Sequence, residues 1–355
     1  MASFWKRVKT LGKGSFGTVS LASRSSDSND VEEVLDLPES FAIKSCPIEN
    51  SRSLQKERVL LHEFQGCPHV IRCYGADASL EGEEDGIIHY NLMLEYAFHG
   101  TLANCIYNSK HGLRVHQVRQ YTTSLLSGLS YIHSKGFVHC DIKPDNILLV
   151  DDYDGIITAK ISDFGLAKKV GLKRKRSGSR RREKGFGGTP VYMAPESILY
   201  GEYDCKADIW ALGCTVIEMF TKQLAWDFDE KVELGVLLDR ICNEEVEIPG
   251  GLSKDAEDFL KKCLIKNPEL RWSAEMLLHH PFVSGSDKAS VRNSVSSTST
   301  SSEVSNVSSS CFDDSSIDYD DLIKPRFVLI KKVAGDSVSC KRGVVREGLN
   351  SWLGA

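Results

Sequence analysis

The 355-residue sequence has no run of about 18 apolar residues, so it offers no membrane-spanning helix. Its start, MASFWKRVKT, lacks the apolar centre of a signal peptide, and export is not expected. Among its eleven cysteines there is no CxxC pair, and the total is odd. Cys73, Cys105, Cys214, Cys242 and Cys263 sit singly among Leu, Ile and Val. That pattern reads as buried thiols in a reducing compartment, cytosol or nucleus, rather than a disulfide or zinc framework. A large charge excess is also missing. The net charge of −5 gives no chain-wide reason to bind nucleic acid or an anionic membrane. No internal repeat is present.

What remains is an ordinary globular composition, 41% hydrophobic and 26% charged, on a chain longer than one typical domain. Short strand-like runs occupy the N-terminal part: WKRVKTLG, GTVSLAS, SFAIKSC, HVIRCYG and IIHYNLMLEYA. One helical segment, 52–65, interrupts them. Beyond residue 100 the period changes. Val118, Tyr121, Leu125, Leu129 and Ile132 fall at spacings of three and four across 115–135, and further helices are expected near 205–222, 232–242, 254–265 and 273–279. A small strand-rich lobe followed by a larger helical one is the expectation.

From Ser284 the composition shifts. Fifteen of the 33 residues in 284–316 are serine, a stretch with too little apolar material to fold. Residues 284–321 carry seven acids and two bases, and 322–355 the reverse, two and seven. RFVLIKKV (326–333) reads equally as a strand that docks or as unstructured tail.

Four stretches carry chemistry. LGKGSFGTV places Gly12, Gly14 and Gly17 between two strand-like runs. Glycines there let backbone N–H groups approach phosphate oxygens where a Cβ would intrude. The same spacing marks dinucleotide folds and plain hairpins, but TVSLAS favours a following strand over the helix a dinucleotide fold requires. FAIK ends on Lys44, either an exposed edge lysine or a functional one. Leu54, Glu57, Leu61 and Phe64 share one helical face, which turns Glu57 inward, where a carboxylate needs a cation. Lys44 is the natural partner, while Glu49 and Glu63 lie off the stripe. Finally, HCDIKPDN groups Asp141, able to accept a proton from a hydroxyl, with Lys143, able to neutralise a phosphoryl group, and Asn146, able to ligate a metal. Asp163 of ISDFG follows seventeen residues after Asn146 with two strand-like runs between, a second place for a Mg²⁺ ligand.

The ordered set LGKGSFGTV, FAIK, Glu57, HCDIKPDN, DFG, GTPVYMAPE and DIWALG resembles a eukaryotic protein kinase domain. The resemblance spans residues 4–283 and implies an α+β, bilobal fold. A small antiparallel-sheet lobe with one main helix (4–95) would join a larger helical lobe (98–283) through a hinge at 95–98. The Ser-rich acidic linker 284–321 and the basic tail 322–355 would be disordered. ATP and Mg²⁺ are the implied cofactors. Leu11, Gly12, Lys13, Gly14, Ser15, Phe16, Gly17, Thr18 and Val19 would cover the nucleotide beside Ala42. Lys44, held by Glu57, would bind its α/β-phosphates. Leu94 would be the gatekeeper, with Glu95 and Ala97 reading the adenine edge. Asp141 would be the base assisted by Lys143, and Asn146 and Asp163 the metal ligands. Glu196 and Arg271 would form a buried ion pair, Trp210 would fill core, and Asp208 would brace the catalytic loop.

Lys143 and Thr189 of GGTPVYMAPE resemble the serine/threonine class. HCDIKP with GTPVYMAPES and a Ser-rich tail is similar to plant MAP kinase kinase kinases of the MEKK-like group. That likeness implies a MAP kinase kinase as substrate, with upstream regulators acting through the tail. A signalling kinase with another target is the alternative, and a pseudokinase scaffold or a nucleic-acid binder are readings from other classes. The scaffold reading conflicts with the intact Lys44, Asp141 and Asp163. The nucleic-acid reading lacks interleaved aromatics.

The segment after Asp163 carries ten Lys and Arg against one acid between 168 and 184. It reads as a solvated loop, a nuclear localisation signal (KRKR, RRREK) or a strip for acidic substrate. Ser177, Ser179 and Thr189 are candidate phosphorylation sites. Kinases regulated by activation-loop phosphate carry an arginine beside the catalytic Asp, and here that position is Cys140, which has no charge. The resemblance therefore implies an active enzyme that depends less on such a phosphate.

Overall fold

The computed structural model describes residues 4–14, 17–25, 37–81, 86–151, 155–170, 188–226 and 233–285. The serine-rich linker from 286 onward, the basic tail, RFVLIKKV, the KRKR and RRREK runs, Ser177, Ser179, Ser15 and Phe16 lie outside them.

Five strands form one antiparallel sheet in the order β1-β2-β3-β5-β4: β1 (Trp5–Gly14), β2 (Gly17–Arg24), β3 (Ser40–Pro47), β4 (Cys73–Glu81) and β5 (Ile87–Leu94). The strand period of two divides β3 between two cores. Phe41 and Ile43 join a small cluster with Trp5, Ala22, Leu37 and Met93 on one face. Ala42 and Cys46 join the main core on the other. Lys44 shares their parity, so it turns toward the side where helix α1 (Arg52–Glu63) packs. Because β3 lies in the middle of the sheet, Lys44 is no edge residue; it pairs with Val19 and Leu92.

One expected strand is displaced. HVIRCYG enters the sheet only at Cys73. Its first half pairs instead with the larger lobe: Val70 bridges Ile161, and the Ile71 N–H donates to the Ile161 carbonyl at 3.0 Å. Both Val70 and Ile71 are buried by this contact, which fastens the lobes behind the cleft.

The second lobe is helical: α2 (Leu102–Asn108), α3 (Val115–Ser134), α4 (Pro195–Tyr200), α5 (Cys205–Thr221), α6 (Leu234–Asn243), α7 (Lys254–Cys263), α8 (Ala274–Leu278) and α9 (Pro281–Ser284). α2, α4 and α9 are too short to show a periodic stripe, and the sequence pattern misses them. Every member of the α3 stripe is buried. A Cβ at Gly128 would stand 2.9 Å from the Ile161 side chain, so this glycine lets α3 approach the neighbouring hairpin closely. α5 is apolar over most of its surface and enclosed through its central turns, Ala207 to Ile217, with Trp210 at zero exposure.

Short strands complete the lobe: β6 (Phe137–Val138) pairs with β9 (Lys168–Lys169), and β7 (Ile147–Asp151) with β8 (Ile157–Ile161). The last hairpin explains the spacing of the two candidate metal ligands. Its register pairs Ile147 with Ile161, so the residues just outside, Asn146 and Ser162–Asp163, come side by side. The Ser162 N–H donates to the Asn146 carbonyl at 2.9 Å and carries the pairing one step past the open end of the hairpin.

All nine cysteines among the described residues are free thiols. Among those residues, no helix is long and apolar enough to cross a membrane.

Candidate active site

The cleft between the lobes gathers the residues that the motifs singled out. β1 and β2 form a hairpin in which Gly14 faces Gly17, with no helix after the third glycine. Gly17 has φ of 120°, and a Cβ there would stand 2.1 Å from the Ser45 carbonyl oxygen, so packing itself requires this glycine. At Gly12 and Gly14 an added Cβ would meet nothing of the protein within 4 Å. Their bareness serves no internal contact and fits the close approach of a ligand. Leu11 and Lys13 are exposed beside them, Thr18 and Val19 half-buried.

Beneath this hairpin, the Lys44 Nζ donates to Glu57 Oε2 at 2.8 Å and to Asp163 Oδ1 at 3.1 Å. Leu54, Glu57, Leu61 and Phe64 are all buried, while Glu49 and Glu63 are exposed, as the helical stripe requires. Burial alone would lower the Lys44 pKa, but the carboxylates of Glu57 and Asp163 outweigh it and raise it, keeping the ammonium charged. Burial pushes the Glu57 carboxyl upward, against the pull of Lys44 and of the Phe164 N–H, which donates to Oε1 at 3.3 Å. Asp163 adopts a left-handed backbone, φ 61°, unusual for a residue with a Cβ. Phe164 is fully buried behind it, against Phe64 at 5.1 Å and His139 at 4.9 Å.

The catalytic-loop candidate is fixed from below by Asp208, the first-turn acid of α5. Its Oδ2 accepts the His139 N–H at 2.8 Å and its Oδ1 the Cys140 N–H at 2.9 Å. A buried carboxylate that accepts two backbone donors holds the loop's conformation, including the left-handed φ of 70° at Cys140. His139 accepts from the Asp141 N–H through Nδ1 at 3.3 Å, which leaves Nε2 to donate to the Ser162 carbonyl at 3.0 Å. It thereby ties the two halves of the site together, a part that sequence reading did not give it.

Asp141 is satisfied on both oxygens. Oδ1 accepts the Thr189 N–H and the Thr189 hydroxyl, each at 3.0 Å, and Oδ2 accepts the Asn146 amide at 2.9 Å. The Lys143 Nζ donates to the same Thr189 hydroxyl at 2.6 Å and stands 3.3 Å from Asp141 Oδ2. Thr189, expected only as a class marker and a candidate modification site, has its hydroxyl engaged at the centre of the site.

At the lobe junction Ala42 pairs with Leu94, and both are buried; Glu95 and Ala97 follow half-buried. The Glu95 carboxylate accepts Lys160 Nζ at 2.7 and 2.9 Å and the Arg72 N–H at 3.1 Å. The Glu95 N–H is itself spent on the Arg72 carbonyl at 2.9 Å, so the anchor from β8 leaves the Glu95 carbonyl, not its side chain, for a ligand, and no sequence signal pointed to Lys160. Deeper in the larger lobe, Arg271 donates to Glu196 through Nη1 at 2.7 Å and Nη2 at 3.1 Å. Its guanidinium lies 5.1 Å over the Trp210 ring.

The donor set suits Mg²⁺ with a nucleotide. Asn146 spends its amide N–H groups on Asp141, which leaves its oxygen as the atom that would meet a metal, with the Asp163 carboxylate as the other protein ligand. Mg²⁺ commonly takes only one or two protein oxygens and completes its shell with phosphates and water.

A buried lysine–glutamate pair, an acid at a strand end and an Asp–Lys couple on a hydroxyl, set between a five-stranded sheet and a helical lobe, define a protein kinase. The protein kinase domain family matches residues 5–283, and the chain belongs to it. Three Arabidopsis thaliana proteins are similar to it over most of its length. It is 44% identical to mitogen-activated protein kinase kinase kinase 20 over 79% of this chain and 78% of that protein. Identity is 39% to kinase kinase kinase 17 over 79% and 69%, and 37% to kinase kinase kinase 18 over 84% and 82%.

Proposed function

We propose that the chain is an ATP- and Mg²⁺-dependent protein serine/threonine kinase acting as a MAP kinase kinase kinase, which phosphorylates the activation loop of a MAP kinase kinase. The observation that carries the acceptor class is the Thr189 hydroxyl, an alkyl alcohol held by Asp141 Oδ1 at 3.0 Å and by Lys143 Nζ at 2.6 Å. A serine or threonine hydroxyl of a substrate makes the same two contacts. Asp141 orients it and accepts its proton, and Lys143 steadies the charge that develops on transferred oxygens. Lys44 holds the α/β-phosphates, with Glu57 fixing the ammonium. Asn146 and Asp163 hold the metal. ATP with Mg²⁺ supplies the γ-phosphoryl group and the positive charge that balances it. The pathway tier rests on the names of the three relatives. The same reading puts the chain in the cytoplasm, the nucleus or both of a plant cell.

The test is a kinase assay of the full chain against a panel of MAP kinase kinases, with the modified residue mapped. Phosphate on their activation-loop serines or threonines is expected, and Asp141→Asn should lower the rate by about 10²–10⁴. Transfer to tyrosine, or full activity in Asp141→Asn, would sink the reading.

A further inference from the structure

The cation missing at position 140 has a counterpart on another element. Cys140 is neutral: burial, then the Asp208 carboxylate, push its thiol up to about 12. Its Sγ lies 3.6 Å from the Val138 carbonyl. Facing it from α1 is Lys56, the residue before Glu57. The Lys56 Nζ donates to the Gly165 carbonyl at 3.2 Å and the Ala167 carbonyl at 2.5 Å. Half-buried, Lys56 has its pKa lowered, first by burial, with the Lys168 ammonium acting in the same direction and Glu57 against it. Lys168, from β9, places its own ammonium 3.3 Å over the Tyr203 ring. An arginine at 140 would put a third cation in the space that Lys56 and Lys168 already share.

The two neighbouring residues of α1 divide the same short stretch of chain between them. Glu57, an acceptor, takes the Phe164 N–H. Lys56, a donor, takes the carbonyls of Gly165 and Ala167. The stretch from Phe164 to Ala167 is thereby stitched to one helix at both its donor and acceptor groups, and Phe164 adds its ring to Phe64. An ammonium that bonds two carbonyls makes charge-assisted hydrogen bonds, about twice the strength of neutral ones.

We propose that Lys56 is a positioning residue that pins the start of the activation segment to α1 through backbone carbonyls, so that Glu57 and Asp163 are held in place without activation-segment phosphate. The role that a phosphate and an arginine at 140 would share is taken by one lysine, and Cys140 is the neutral residue that leaves room for it. The inference rests on the kinase reading of the site, and it locates the substitute on α1 rather than among the basic residues of the activation segment.

The experiment uses the full chain, treated with phosphatase, as wild type, Lys56→Met and Lys56→Arg. Methionine keeps the helix propensity and most of the stem, so the variant folds. Two readouts are taken: kcat and KM for ATP with a protein substrate, and amide hydrogen exchange across 164–168 in the absence of substrate. Wild type should keep its kcat within twofold after phosphatase. Lys56→Met should lose at least tenfold in kcat with KM for ATP within threefold, and exchange at 164–168 should quicken at least tenfold. Lys56→Arg should recover both to within threefold of wild type. A wild type that loses tenfold or more on dephosphorylation overturns the proposal. So does Lys56→Met activity within twofold of wild type, unchanged exchange, or an arginine variant as impaired as the methionine one. Failure of the kinase reading shows differently, as a wild-type chain inactive before and after phosphatase, and the exchange measurement then still decides whether Lys56 pins the segment.

Discussion

Replacing Glu57 by glutamine removes one charge and almost no volume, yet the structure predicts a large loss of activity. Glu57 accepts on both oxygens: Oε2 takes Lys44 Nζ at 2.8 Å and Oε1 takes the Phe164 N–H at 3.3 Å. Glutamine has a single acceptor oxygen, and its NH₂ must face either an ammonium or an amide N–H. One of the two bonds is therefore lost and replaced by two donors in contact, in a place where the Glu57 side chain is 1% exposed and Lys44 10%. A hydrogen bond to a charged group contributes about 1.5–3 kcal/mol, and a buried donor left unpaired costs about 1–3 kcal/mol. A loss of about 2–3 kcal/mol in holding Lys44 corresponds to roughly 30–150-fold in kcat/KM for ATP. Glu57→Ala removes both acceptors and should fall within about fivefold of the glutamine variant, since glutamine rescues so little. Steady-state kinetics with varied ATP, together with fluorescent-nucleotide binding, measure the effect. A Glu57→Gln enzyme within threefold of wild type would refute the argument, because it would show that neither the charge nor the second acceptor matters.

Two further outcomes follow from the geometry. With its thiol at about 12 against an ordinary 9.0, Cys140 holds ~10⁻⁴ thiolate at pH 8, about a thousandfold less than an unperturbed cysteine. The raised pKa keeps the proton on sulfur through neutral pH. Iodoacetamide labelling followed by mass spectrometry should therefore be about a thousandfold slower than for free cysteine, rising tenfold per pH unit from 8 to 11; a rate within tenfold of free cysteine contradicts the burial argument. Glu196→Ala strands the Arg271 guanidinium, whose side chain has zero exposure, with only the carbonyls of Ile265, Lys206 and Lys266. Breaking one partner of such a pair costs about 3–5 kcal/mol, and the three remaining acceptors set the low end, about 3. Calorimetry should show Tm lower by roughly 6–10 °C, and a shift below 3 °C would count against the pair as a stabilising contact.

Local pattern in the chain determined a good deal. A stripe at spacings of three and four turned Glu57 inward and left Glu49 and Glu63 outside, because side-chain direction on a helix follows from its pitch alone. The same logic located α3, and the glycines between two strand-like runs located the β1–β2 hairpin. Asp141, Lys143 and Asn146 were legible because one short loop carries all three, so sequence neighbours are also spatial neighbours. Only the tertiary structure decided the rest. HVIRCYG reads as a strand, but its first half pairs with β8, since a run of apolar residues does not say which edge will bury it. Lys160 anchors Glu95 from 65 residues away, and His139 links the catalytic loop to the segment before Asp163. Lys56 shows the limit most clearly. By helical position it is an unremarkable lysine beside the inward stripe, and nothing local distinguishes it from a solvated one. Its partners are backbone carbonyls, which every residue possesses and no sequence marks. Only the packing of α1 against the chain after Phe164 brings them within 3.2 Å of the ammonium, next to a Cys140 that carries no charge of its own.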